Sequence, residues 1–463
     1  MSNRQDNRVC ARRGVAFVIT LIFLSLFACL AVAIAATADS NLTIARNRIA
    51  GQQASAFAAT GIQMMQFNLG GMPAGHAIDA SHMNTLIYSH LTNVHSMTVD
   101  PPDTNGVTLP TITLKSADGR DGTVDVTIHA TSDGKTVIIT SVAHYPVDPD
   151  NPDAPAAKRS AMYRMGVQKQ AGHLPPFGVA SKGIVSAGGN AVIRGDVLSA
   201  YYRPPGATVS AVRVDGSAKV YGDVNAVDDW AGAIYEKKAD SIIGAKVTGV
   251  VEPVWPEVDI KPFTDYVLAT SEGWKDYDGN PPFSNIRIPP NAGGGKGLTI
   301  SNKDIKGVVY IQSPNKVTFS GDTTITGVIV ADPPDVDNLT DNVITFTGNT
   351  SISGVENLSE AKYDGLRALT GSFLLAPGFS TVFKGNFGVV NGCMIASQFA
   401  FTGNAGSQAG GTINGGIVNL RDSLFDITGS VDMTINHEGA VEEPAGVVNS
   451  RLMCVRGTYV AQE

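Results

Sequence analysis

An uninterrupted apolar run from Val15 to Ala38 constrains this chain more than any other feature of its sequence. It reads VAFVITLIFLSLFACLAVAIAATA, with no charge before Asp39. As a helix rising about 1.5 Å per residue it would extend about 36 Å, enough to cross a hydrocarbon core of about 30 Å. The residues before it hold Arg4, Arg8, Arg12 and Arg13 against one acid, Asp6. That bias predicts a cytoplasmic N-terminus, with the rest of the chain on the other side. An ordinary secretory signal is the alternative. Its apolar region runs about 7–15 residues and ends in a small-residue cleavage site. Ala31 to Ala38 offers such residues, but the helical pattern continues beyond them through Leu42, Ala45, Ile49, Ala54, Ala58, Ile62, Met65 and Leu69. The expectation is one helix from Val15 to Leu69, membrane-spanning in its first half and amphipathic in its second.

The run R-R-G-V-A-F-V-I-T-L-I-F-L at Arg12 to Leu24 precedes a helix with Asn47, Gln53 and an Ala-rich face through Gly61. This segment resembles the N-terminus of PilX-type minor pilins, type IV pilus assembly proteins of Gram-negative bacteria. The resemblance implies a basic leader ending in Gly, cut by a membrane-embedded prepilin peptidase. Matched residue by residue, the processing site is Arg12, Arg13, Gly14 and Val15, with Val15 the first mature residue. It further implies a single-pass inner-membrane protein whose bulk is periplasmic or extracellular and associated with a pilus. The implied partners are the membrane, pilin-like or pseudopilin subunits and the peptidase. Major pilins carry Glu at the fifth mature position, where this chain has Ile19, and no Glu precedes Glu236. Members of the PilX kind often lack that carboxylate.

Composition bounds the remainder. Charged residues make up only 16%, and 50 of the 463 residues are Gly, which points to β-structure with many turns. A net charge of −8 argues against a phosphate-binding surface, and no nucleic-acid module is recognisable. Cys10 lies in the basic leader and Cys29 in the apolar run. Cys393 and Cys454 lie beyond it, able to form one disulfide in an oxidising compartment or to stay as two buried thiols.

After the long helix, Asp79 to Leu91 reads as a short helix with Met83, Leu86, Ile87, Tyr88 and Leu91 on its apolar face. Three alternating runs follow, Val107 to Leu114, Val124 to Ala130 and Thr136 to His144, separated by Asp118-Gly119, Asp121-Gly122 and Asp133-Gly134. These are hairpin signals. The segment Pro146 to Pro155, PVDPDNPDAP, has the composition of an extended linker.

A repeat then appears. Gly189-Asn-Ala-Val-Ile-Arg-Gly195, Gly216-Ser-Ala-Lys-Val-Tyr-Gly222, Gly321-Asp-Thr-Thr-Ile-Thr-Gly327 and Gly348-Asn-Thr-Ser-Ile-Ser-Gly354 share one pattern. Gly189 to Gly216 and Gly321 to Gly348 are each 27 residues apart, and looser copies follow near Gly392, Asn404 and Ser430. Equal spacing of short strands turned by Gly and Asn predicts a parallel β-helix, a solenoid. Val192, Val220, Ile325, Ile329, Ile352, Ile395 and Ile417 are its expected inward positions. The interval Asp228 to Gly297 interrupts the repeat and holds all three tryptophans, Trp230, Trp255 and Trp274. It reads either as an aromatic surface for a partner or glycan, or as a loop folded over the solenoid. A second excursion, Val355 to Leu369, predicts a short helix facing the solenoid through Leu358, Ala361, Leu366 and Leu369.

The expected fold class is therefore α+β then all-β. Residues 1–14 form the leader, 15–69 the transmembrane and amphipathic helix, and 70–145 a pilin-like antiparallel β region. Residues 146–178 form a Pro/Asp linker and 179–463 the β-helix domain, with an aromatic insertion at 228–297.

Catalytic patterns are sparse. His76, His82, His90 and His95 lack the i, i+4 zinc spacing, and neither H-E-x-x-H nor C-x-x-C occurs. There is no G-x-S-x-G, and Gly293-Gly-Gly-Lys296 lacks the remainder of a Walker loop. No cofactor, metal or catalytic residue is expected. One acidic cluster, Asp332, Asp335 and Asp337 with Asp341, is the sole candidate for acid/base work on a polysaccharide. Two readings follow. In the first, the chain is a non-enzymatic envelope protein displaying a β-helix for adhesion or assembly, with a glycan or surface ligand as a further partner. In the alternative it is a membrane-anchored β-helix enzyme acting on polysaccharide. Carboxylates lining a groove of stacked strands would favour the second.

Overall fold

The computed structural model describes residues 6–75, 79–117, 119–147, 156–333, 338–406, 410–438 and 440–462. Arg4, His76, Asp118, the run 148–155, Asp335 and Asp337 lie outside the described residues. The chain divides into two units. The first comprises Met1–Gln168 with Arg451–Glu463, the second Lys169–Ser450.

The first unit begins with one continuous helix, α1 (Asp6–Leu69), of 64 residues. No proline interrupts it, and its first half is built from good helix formers such as Ala and Leu. Every residue from Phe17 to Ile49 is exposed; burial starts at Ala50. From there Ala50, Ala54, Phe57, Ala58, Ile62, Met65 and Leu69 form a buried stripe at helical spacing. Small residues let the helix approach its sheet closely. A Cβ at Gly61 would collide with Ser141 Oγ and lie 2.9 Å from Val124 Cγ1. A second helix, α2 (Ala80–Ser89), is capped by Asp79, whose carboxylate accepts the His82 N–H at 2.8 Å.

The sheet beneath α1 is antiparallel. Its strands are β1 (Val107–Thr108), β2 (Ile112–Lys115), β3 (Asp121–Ala130), β4 (Thr136–Pro146) and β5 (Ala156–Ala171). Both β1 and β2 pair with one edge of β3, β4 with the other, and β5 with β4. Alternation sets which face is buried: Val124, Val126 and Ile128 from β3, with Val137, Ile139, Ala143 and Tyr145 from β4. Two domain expectations change here. Residues 156–171, expected to be linker, form the long strand β5, in register with β4 from Pro146↔Ala156 to Thr136↔Gly166. Its signal is the buried alternation Ala161, Tyr163, Met165, masked in the sequence by intervening cations. The chain's last residues also leave the domain drawn at 179–463, because Val460–Gln462 pair antiparallel with Ser160–Met162 of β5.

The second unit is mostly β, with parallel sheets. Strands pair in parallel with those one repeat away: Val192↔Lys219 and Val197↔Val224 across 27 residues, Thr324↔Ser351 and Lys316↔Val343 across 27 more. The repeated glycines lie one above another at positive φ, +67° at Gly189 and +69° at Gly216. A Cβ on Gly216 would sit 2.9 Å from the Gly189 carbonyl oxygen, so the turn requires Gly twice over. Inside, Phe319, Phe346, Phe383 and Phe401 stack in register with ring centroids 5.4, 4.6 and 4.8 Å apart. Of the expected inward residues, Val220, Ile325, Ile329, Ile352 and Ile417 are buried in the interior, whereas Val192 is half-exposed with its neighbour Ile193 buried, and Ile395 is buried on the opposite face in register with Leu375 while its neighbour Met394 faces in. Counting from the repeat's first glycine puts Ile193, Val220, Ile325 and Ile352 at the same position; period-two alternation permits only one of Val192 and Ile193 to face in.

The pairing order departs from chain order. Val179–Ser181 lies between Ile417–Asn419 on one side and Val197–Ser199 on the other. Likewise Val185 pairs both with Phe425 and with Val212. The chain thus enters its parallel stack in the middle and runs outward to Lys246–Thr248. It resumes at Lys275–Asp276 and winds back to meet its own first strands. The aromatic insertion is correspondingly shorter than 228–297. Ile234–Glu236 and Lys246–Thr248 continue the parallel pairing, and Lys275–Asp276 and Ser284–Ile288 resume it.

Candidate functional site

The exposed half of α1 is the most pronounced surface feature of the first unit. Phe17, Leu21, Phe23, Leu24, Leu26, Phe27, Val32 and Ile34 project in all directions, with no charge from Phe17 to Ala38. A soluble helix would confine such residues to one stripe. With a mean hydropathy of 2.9 over its most apolar window, this helix is long and apolar enough to cross a membrane. Arg12, Arg13, Gly14 and Val15 lie within α1. Asp39 ends the apolar segment, and the exposed Arg46 and Arg48 follow before burial begins. The segment is therefore divided by sequence into an apolar cylinder, a short polar collar and an Ala/Gly face packed on the sheet.

In the second unit, the acidic cluster does not present a carboxylate pair among its described members. Asp332 accepts a hydrogen bond from the Tyr310 hydroxyl. Tyr310 is half-buried, and burial followed by the Asp332 carboxylate pushes its pKa up to about 12. Asp341 is exposed and pairs instead with Lys316 at 3.2 Å and with the Asn338 amide. Those partners hold its carboxyl below the ordinary range, Asn338 contributing most. The chain reading missed the neighbours of Asp332. Arg287 Nε donates to Asp276 at 2.6 Å and faces Tyr310 across one strand step, while Trp274 packs on the Tyr310 ring at 5.3 Å. Parallel pairing gathers Asp276, Arg287 and Tyr310 from three strands, with Trp274 and Asp332 at strand ends, and no local motif announces that.

The aromatic residues of the interval after Asp228 are largely packed away. Phe263 is fully buried with Val267 on the helix Lys261–Ala269, and Trp255, Tyr266 and Trp274 flank the same cluster. They cover the outer face of the parallel strands at Val308, Val328, Val330 and Leu375. Leu358 and Leu366 join them from the second excursion. Ala361 is exposed, and Tyr363 takes the place expected of it, fully buried with its hydroxyl 2.6 Å from Ser284 Oγ. Phe263, Trp255, Tyr266 and Trp274 thus form the folded-over segment, whereas Trp230 packs apart from them under Arg203 and Tyr235 is exposed.

Among the described residues, Cys29, Cys393 and Cys454 are free. Cys393 and Cys454, expected as either a disulfide or two buried thiols, are one buried and one exposed thiol. Cys393 is sealed in its strand beside Ser372 Oγ at 3.5 Å, and burial pushes its pKa up to about 12. Cys454 lies beside Tyr163 of β5, whose pKa is raised by burial first and by the thiol next.

No protein-family model matches this chain. No curated protein matches it either. Among solved structures, the competence-associated pilin ComZ from Thermus thermophilus aligns over 89% of this chain and 98% of its own, at 11% identity and a TM-score of 0.26. At that TM-score the likeness carries no argument about fold or role.

Proposed function

We propose that this chain is a non-enzymatic, minor-pilin-like envelope protein of the PilX kind, associated with a type IV pilus or a pseudopilus. The observation that carries the reading is α1: one unbroken helix, apolar all round from Phe17 to Ala38, then packed by Ala50, Ala54, Ala58 and Gly61 on an antiparallel sheet. An all-round apolar helix serves first as a bilayer span and then as a packing element among other apolar helices. In this reading the N-terminus is cytoplasmic, the inner membrane holds the first half of α1, and the remainder of the first unit and all of the second lie outside. Prepilin-type cleavage after Gly14 releases Val15 as the mature N-terminus. Because Ile19 stands where a carboxylate would pair with a neighbour's amine, entry into a bundle rests on apolar packing alone.

The second unit, in this proposal, is a parallel β-helix displayed for adhesion or assembly. Its support is the 27-residue parallel register, the stacked turn glycines and the in-register Phe stack. The commitment of Asp332 to Tyr310 and of Asp341 to Lys316 supports a non-catalytic role.

The test is the mature N-terminal residue of membrane-recovered protein, read by mass spectrometry. Val15 is expected. An intact Met1 would make it a permanently anchored protein outside the pilus machinery, and a start between Ala36 and Ser40 would make it a released one. Incubation with bacterial polysaccharides is expected to liberate no reducing or unsaturated ends; their appearance would overturn the non-enzymatic reading.

A further inference from the structure

Three asparagines line up on one face of the second unit. The parallel strands Val389–Asn391, Gly411–Asn414 and Asp432–Asn436 place Asn391 against Asn414 and Asn414 against Asn436. At about 4.8 Å per strand the row extends about 10 Å along the stack. The Asn414 amide donates to Asn391 Oδ1 at 2.8 Å. Backbone bonds fix the row from behind, Gly392 N–H to the Asn414 carbonyl at 3.0 Å and Gly415 N–H to that of Asn436 at 3.1 Å. In front of it opens a cleft of about 520 Å³, walled by Glu356, Thr370 and Val441 and floored by the backbone of Gly371 and Gly392. The floor must be glycine. Their φ values are +90° and +110°, and a Cβ would lie 2.7 Å from Val441 Cβ or 2.8 Å from the Ser372 carbonyl carbon.

An asparagine row can simply be a strut between strands, and the same unit shows what a strut looks like. Asn419 is fully buried, its amide among Ser181 Oγ, the Arg421 carbonyl and the Ser423 carbonyl at 3.0–3.2 Å. Asn391 and Asn414 are instead half-exposed, at the wall of an open cleft.

The cleft's chemistry narrows its ligand. Each amide offers donors and an acceptor, Thr370 offers both, and Glu356 accepts only. Among the described residues no cation lines the cleft, so a phosphate or carboxylate would meet Glu356 without a counter-charge. A purely apolar ligand would leave the amides desolvated and unpaired. Hydroxyl groups, each a donor and an acceptor, suit this lining, and the volume falls within the range of small-ligand clefts, about 300–1,000 Å³. We propose that the Asn391–Asn414–Asn436 cleft binds a neutral saccharide. The proposal rests on the display role suggested above for the second unit and gives that role a ligand class.

The test titrates the full chain in detergent with maltotetraose, cellotetraose and N-acetylated chitotetraose by calorimetry. At least one is expected to bind. Asn391→Ala should weaken it roughly tenfold, the worth of one or two neutral hydrogen bonds. Glu356→Gln and Thr370→Val, both outside the asparagine row, should weaken it several-fold with an unchanged melting curve. If Asn391→Ala does not fold, these two decide. Binding of none of the three sugars, or equal binding by Glu356→Gln and Thr370→Val, overturns the proposal. The same preparation reports its N-terminal residue. Val15 without sugar binding sinks the cleft alone, and sugar binding with an intact Met1 sinks the pilus reading alone.

Discussion

The two units solve the same problem, burying one face of a sheet, with opposite economies of sequence distance. In the first, β3 pairs with β4 and β4 with β5, each the next strand along the chain. In the second, Ile417 must find Val179, 238 residues earlier, before the stack is continuous. Local antiparallel pairing closes short loops at little entropic cost, whereas distant parallel pairing closes long ones before any contact forms. The first unit's strands β1 to β5 can assemble from adjacent sequence; the middle of the second waits for the strands from Ile417 onward.

The tryptophans make this contrast measurable, since Trp230, Trp255 and Trp274 all belong to the second unit. The largest effect should come from Phe383→Ala. That ring is fully buried and stacked on both sides, by Phe346 and Phe401. The loss expected is about 3–5 kcal/mol. Denaturant titration should show tryptophan fluorescence changing early while antiparallel signal persists; one shared shift would break the separation of the units. The converse variant is Gly61→Ala, whose new Cβ meets Ser141 and Val124 beneath α1. Overpacking of this kind costs about 1–3 kcal/mol. It should leave the tryptophan transition where it was.

A smaller effect concerns pH. Tyr310 titrates at about 12 in the fold against 10.0 ordinarily. The folded state therefore holds the phenol proton more tightly, and its stabilising contribution is present below pH 10 and lost as pH rises through about 12. Half-exposure keeps the contribution small. Tyr310→Phe should flatten the loss of tryptophan-reported stability in that window and remove one late-titrating phenol from the absorbance curve; an unchanged curve would mean that burial and Asp332 do not hold that proton. Smallest of all is Lys115→Ala. Its 3.4 Å pair with Asp121 is mostly exposed, and such pairs contribute about 0–1 kcal/mol. A clear shift in the first unit's midpoint would show that this hairpin relies on charge.

The same contrast explains what the sequence made legible. The long helix, the hairpins at Gly119 and Gly134 and the glycine repeat carry their signals within a few residues of each other. β5 was hidden because Lys158, Arg159 and Arg164 interrupt the apolar count, although Ala161, Tyr163 and Met165 alternate correctly. The partners of Asp332 were not legible, since Tyr310 lies 22 residues upstream and Asp276 further still. The asparagine row did leave a trace, Val390-Asn391, Ile413-Asn414 and Ile435-Asn436 at nearly equal intervals. Register was needed to turn that trace into a surface.

The mid-stack entry of the chain also bears on mechanical load. A strand at the end of a stack holds one neighbour and peels off one ladder at a time. Val179–Ser181 is the first strand of the parallel stack beyond Lys169, and it is clamped between two ladders that must rupture together. The second unit, moreover, is inserted between Gln168 and Arg451 of the first, so tension reaches it through two covalent connections. A chain wired this way resists being unravelled by a pull on its N-terminal side.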